Sequence, residues 1–104
     1  MHESQIKEII NQIFEIEKKI SGDPLEKSLS RNLRRLKSAT EEMGFHFHNP
    51  LGEKYDITRL DCEAMISGES ADNLKIVEVI KPIIYFREGE TNSILQKAVV
   101  VTEG

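Results

Sequence analysis

The sequence predicts an α+β protein in which an antiparallel helical hairpin precedes a compact unit of about four strands. Three observations carry this expectation. Apolar residues recur at spacings of three and four up to about residue 43, and short β-branched runs follow from about residue 62. Between them lies HNPLGEKYDIT, residues 48–58, where Pro50 and Gly52 forbid a regular element.

The first helix reads ESQIKEIINQIFEIEKKI. Ile6, Ile9, Ile13, Ile16 and Ile20 alternate spacings of three and four, Ile10 and Phe14 widen the stripe, and Lys and Glu supply the wet face. SGDP then ends the helix. Gly22 suits the left-handed closing conformation, Asp23 can cap the next helix, Pro24 fits its first turn, and Glu26 stands in the capping-box position.

The second helix runs from near Pro24 to about Met43 on Leu25, Leu29, Leu33, Leu36, Thr40 and Met43, with Gly44 as its stop. So short a connection folds the helices back on each other. Two such wide stripes cannot hide all their surface in one pair. A second copy is therefore expected to complete a four-helix bundle, with Ile6, Ile9, Ile13, Ile16, Leu25, Leu29, Leu33 and Leu36 at the dimer interface. Each fully buried aliphatic residue contributes roughly 1.5–3 kcal/mol to such a seam.

CEAMISG, NLKIVEVI, PIIYF and SILQKAVVVT read as strands, REGETN as a turn, and Pro82 as a strand break, edge or bulge. The expected organisation is a helical hairpin over 1–47, a connecting loop over 48–60 and a small β domain over 61–104.

Composition narrows the function classes. With 38% hydrophobic and 31% charged residues, the chain is too apolar for general disorder and too polar for a membrane protein. There is no apolar run near the roughly 20 residues of a membrane helix, no basic and apolar leader, and a single cysteine, Cys62. These point to the cytoplasm. A net charge of −4 argues against nucleic acid. The basic group Arg31, Arg34, Arg35 and Lys37 lacks interleaved aromatics and suits a solvated face or an acidic protein partner.

Catalytic signatures are missing: no Gly-rich phosphate loop, H-E-x-x-H, C-x-x-C or G-x-S-x-G. His46 and His48, with Asp61 and Cys62 farther on, are the nearest approach to a zinc or nickel site. Two ligands without a clear third and fourth do not make a tetrahedral centre, and burial of Phe45 and Phe47 explains the alternation more simply. Cys62 beside Ala64 and Ile66 reads as a structural thiol, and the acids Glu41, Glu42, Asp56 and Asp61 as a wet helix face and loop caps. We expect no enzyme, no cofactor and no small-molecule substrate.

Taken in order, the helical hairpin, its Gly stop, NPLGEKYD, the EA strand start, IVEVIK and the closing ILQKAVVV resemble the C-terminal half of the GrpE family. These are the nucleotide exchange factors of DnaK-type chaperones, and the resemblance covers about residues 24–104. Pro50, Leu51, Gly52, Tyr55 and Asp56 match the family's Pro-x-Gly-x-x-aromatic-Asp stretch, and Glu63 and Ala64 its Glu-Ala pair. Ile76, Val77, Val79, Ile80 and Lys81 match the strand that ends in Lys, and Leu95, Ala98, Val100 and Thr102 echo the closing strand.

The resemblance implies a homodimer whose β domain binds the nucleotide-binding domain of a DnaK-type chaperone and promotes ADP release. It implies a contact face of Tyr55, Ile57 and Ile80, with Ser93 and Thr102. Three features depart from the family: there is no counterpart of its long N-terminal coiled-coil helix, Pro82 to Tyr85 replace a Gly-Tyr, and Glu90 to Gln96 replace a basic stretch. The alternative is a diverged GrpE-like interaction module without exchange activity on a standard chaperone.

Overall fold

The computed structural model describes residues 3–68 and 72–104. Within them α1 (Glu3–Ile20) and α2 (Leu25–Glu42) precede six strands: β1 (Phe45–His48), β2 (Cys62–Ser67), β3 (Lys75–Lys81), β4 (Ile83–Glu88), β5 (Thr91–Gln96) and β6 (Ala98–Glu103). The α+β class therefore holds, while the expected four strands become six. FHFH, assigned to the helical region and loop, forms β1, because Gly44 stops α2 and the alternating aromatics then pair with β4. SILQKAVVVT divides at Lys97 into two strands that belong to different sheets.

Asp23 caps α2, its Oδ1 accepting from the Leu25 backbone N–H at 2.9 Å. The strands form two three-stranded sheets, β1-β4-β5 and β2-β6-β3. The first is antiparallel. In the second, β2 runs parallel to β6 and places Cys62 beside Ala98, while β3 runs antiparallel to β6 with two irregularities. Pro82 is fully buried at the corner where β3 of one sheet becomes β4 of the other, which is the strand break expected of a residue without an N–H. Gly89 carries the positive φ, 63°, that lets β4 return as β5 through a two-residue turn narrower than REGETN.

The helical stripe is shared among three surroundings. Ile10 packs with Phe45 and Ile84, and Phe14 with Cys62, Ile76, Val79, Ile83, Ala98 and Val100. Ile13 and Ile20 meet Leu33 of α2. Ile9 and Ile16 remain exposed. Polar ties reinforce the first contact: the Asn11 and Gln96 amides exchange two hydrogen bonds at 3.0 and 2.9 Å, and Lys18 Nζ donates to the Val79 carbonyl at 2.7 Å. The Ile10–Phe14 side of the stripe is thus covered by the chain's own sheets. Among the expected seam residues, Ile13 and Leu33 are buried inside the hairpin, Ile6 and Leu29 are partly buried, and Ile9, Ile16, Leu25 and Leu36 stay exposed.

Candidate functional site

The segment after β1 is irregular but held by many hydrogen bonds. Asn49 Oδ1 accepts from the Leu51 N–H at 3.1 Å, Pro50 is fully buried, and Gly52 takes a φ of 85°. The backbone then runs along the outer edge of β3. The Gly52 N–H donates to the Ile76 carbonyl, the Ile76 N–H to the Glu53 carbonyl, and the Tyr55 N–H to the Leu74 carbonyl, each at 2.9 Å. One edge of that sheet is covered in this way. Tyr55 follows its backbone inward and packs on the core around Phe14.

The next turn is closed by Asp56, whose Oδ1 accepts from the Thr58 N–H at 2.9 Å and from the Thr58 hydroxyl. These bonds hold the Asp56 carboxyl below its ordinary value. Arg59 then fastens the loop. Its Nε donates to Asp61 Oδ1 at 2.6 Å, one terminal nitrogen to Glu53 Oε1 at 2.7 Å, and the other to the Lys54 carbonyl at 2.9 Å. Glu53 also meets the His48 ring. The Arg59 hydrogen bond is the main cause of a lowered Asp61 pKa. For Glu53, burial acts to raise the pKa, but Arg59 and His48 together bring it below its ordinary value.

This fastening holds two apolar side chains out in water. Ile57 is 90% exposed and Leu60 is 78% exposed, either side of a guanidinium that is itself mostly covered. Leu51, at the start of the same loop, is exposed as well. Isolated exposed aliphatic residues are ordinary, but Leu51, Ile57 and Leu60 all lie on one ionically pinned segment between β1 and β2, where each can contribute binding without first being ordered.

The expected contact residues separate. Ile57 and Ile80 are exposed, on the loop and on β3 respectively. Ser93 is exposed on β5, in the other sheet, with its hydroxyl donating to the Phe86 carbonyl at 3.4 Å. Thr102 corrects the expectation: it is fully buried on β6, its hydroxyl donating to the Met65 carbonyl at 3.4 Å, so its side chain belongs to the interior. Leu60, Met65 and Ile66 are exposed and were not expected. Leu60 stands alone between Arg59 and Asp61, with no periodicity to mark its direction.

Cys62 lies in the core, and burial pushes its thiol up to about 11, so it is protonated at neutral pH. The His48 ring meets Glu53, whereas His46 borders Tyr85, Arg87 and Asn92. Among the described residues no group of three or more His, Cys, Asp or Glu is placed to hold a metal ion, and no helix is long and apolar enough to cross a membrane. Comparison with models of known families, with curated proteins and with solved structures returns no match to this chain.

Proposed function

We propose that the chain is a GrpE-like co-chaperone, a homodimer that binds the nucleotide-binding domain of a DnaK-type chaperone and promotes ADP release. The observation that carries the reading is the order of parts. A short-looped helical hairpin is followed by β1, the Pro50–Gly52 joint and the remaining strands of a small two-sheet unit that leaves Ile57 and Ile80 in water. Such a surface acts without covalent chemistry. Binding energy that favours an open nucleotide cleft over a closed one shifts the equilibrium and lets ADP leave, whereas equal binding to both forms changes nothing.

Helix geometry supports the dimer. At about 100° per residue, the Ile9–Ile16 stripe of α1 is offset about 40° from its Ile13–Ile20 contact line, and the Leu36–Met43 stripe of α2 about 60° in the same sense from Leu33 and Thr40. In an antiparallel pair offsets of the same sense fall on one side of the hairpin. Ile10 and Phe14, offset the other way, lead to the sheets on the opposite side. One apolar face is therefore left for a second copy, and it makes no use of Ile13 or Leu33.

The test is the release of labelled ADP from a DnaK-type ATPase in the presence of this protein. Acceleration is expected; none at saturating concentration overturns the exchange activity, and binding without acceleration identifies the diverged module instead. The dimer is tested separately by solution mass. Leu36→Asp, at a position 47% exposed in the protomer, should yield a folded monomer, and a mass unchanged from the parent would refute this seam.

A further inference from the structure

The sheet β1-β4-β5 carries a polar constellation that the proposed partner surface does not use. His46 of β1 stands opposite Tyr85 of β4, and Arg87 of β4 opposite Asn92 of β5. Tyr85 and Arg87 are two residues apart on one strand, so the four side chains share a face. They line a pocket of about 180 Å³ with no acidic residue in its wall.

Their hydrogen-bonding capacity is almost unspent. Among the described residues no hydrogen bond engages the His46 ring, the Tyr85 hydroxyl or the Asn92 amide. Arg87 uses only Nε, which donates to the Gly89 carbonyl at 3.3 Å, and keeps both terminal amino groups. Burial raises the Tyr85 pKa, so its hydroxyl is a donor at neutral pH. Asp61 and Glu53, the acids acting on Tyr85, are already bridged by Arg59.

We propose that this pocket binds a small oxyanion, a phosphate monoester in preference to a carboxylate, with Arg87 as the charged anchor and His46, Tyr85 and Asn92 as the remaining donors. The preference follows from counting donors. A carboxylate has two oxygens, which the Arg87 fork alone can engage, whereas a phosphate presents three acceptor oxygens and uses donors arriving from all three strands.

The experiment is an NMR titration of the full chain with inorganic phosphate and, separately, with acetate, at constant ionic strength. Phosphate should produce saturable shifts at the amides of 46, 85, 87 and 92 with a dissociation constant on the order of 1 mM, and acetate should bind at least several-fold more weakly. Arg87→Gln, an exposed position, should weaken phosphate binding by about tenfold or more, and Asn92→Ala by a few-fold, while Arg35→Gln on α2 leaves it unchanged. Shifts that grow linearly without saturating would overturn the site. So would a loss in Arg35→Gln equal to that in Arg87→Gln, which would mark nonspecific attraction. Acetate binding as tightly as phosphate would overturn the preference.

Discussion

Phe14→Ala should destabilise the sheets as well as the helix that carries it. The side chain is 3% exposed and belongs to the core cluster of Cys62, Ile76, Val79, Ala98 and Val100 from one sheet and Ile83 from the other. A buried Phe removes about 150–250 Å² from water, which at about 25 cal/mol/Å² gives roughly 4–6 kcal/mol as an upper bound. Truncation to Ala therefore costs about 3–5 kcal/mol, in the usual range for a core aromatic. In a chain of 104 residues this lowers the thermal midpoint by on the order of 15–30 °C. Ile57→Ala, at a side chain in water, should change the stability by less than about 0.5 kcal/mol. The assay is paired melting: far-ultraviolet circular dichroism for the helices, and tyrosine fluorescence for the sheets, because both tyrosines, Tyr55 and Tyr85, pack on this core and there is no tryptophan. Both midpoints should fall together. A tyrosine transition left in place while the helical signal moves would show that α1 is not part of the β core, and a cost no larger than that of Ile57→Ala would refute the packing altogether.

Three further outcomes follow from the same contacts. Arg59→Met should destabilise the chain by about 1–2 kcal/mol at neutral pH, because Glu53 and Asp61 lose their shared cation. Both carboxyls titrate below their ordinary values of 4.5 and 3.8 when folded, so their contribution is complete above those values and disappears as pH falls through the lowered ones. The gap between parent and variant in urea melts should therefore close on acidification; a gap that widens would reverse the assignment. Gly44→Ala should cost about 2–4 kcal/mol, since the residue has a φ of 94° and an added Cβ would lie 2.9 Å from the Arg87 carbonyl oxygen. Gly89→Ala, with open space around it, should cost about 1 kcal/mol, and equal losses in denaturant melts would contradict this contrast. Cys62 should react with a thiol reagent at neutral pH at least about a hundredfold more slowly in the native chain than in urea, and immediate labelling would place the thiol outside the core.

Local chemistry was legible in the sequence because it depends on near neighbours. The helices, the SGDP connection with its Asp23 cap, the Gly44 stop and the Pro82 corner rest on periodicity and backbone restriction, and these need no knowledge of the rest of the chain. Strand β1 escaped because four residues give too little alternation to establish a period, and its partner β4 lies almost forty residues away. The split at Lys97 escaped because Gln96 and Lys97 carry no backbone restriction that ends a strand, and only pairing with different neighbours separates β5 from β6.

The functional segments divide in the same way. Pro50 and Gly52 announced a joint in HNPLGEKYDIT, but nothing local distinguishes an isoleucine that packs from one that is held in water. Tyr55 goes inward because its backbone is tied to β3, about twenty residues on, and Ile57 goes outward because Asp56 and Arg59 close the next turn on carboxylate, hydroxyl and carbonyl partners two to six residues away, a pairing that residue type alone does not specify. Thr102 is polar by type, and it is covered because it alternates with Ala98 and Val100 on the face of β6 turned to the core, while Val99 and Val101 on the other face are only partly buried. The sequence by itself determined which segments are helices, where the chain turns, and that apolar stripes exist. Tertiary structure alone decided which sides of those stripes are covered, because burial depends on what packs alongside, and here the sheets take the Ile10–Phe14 side of α1 and leave Ile9 and Ile16 exposed.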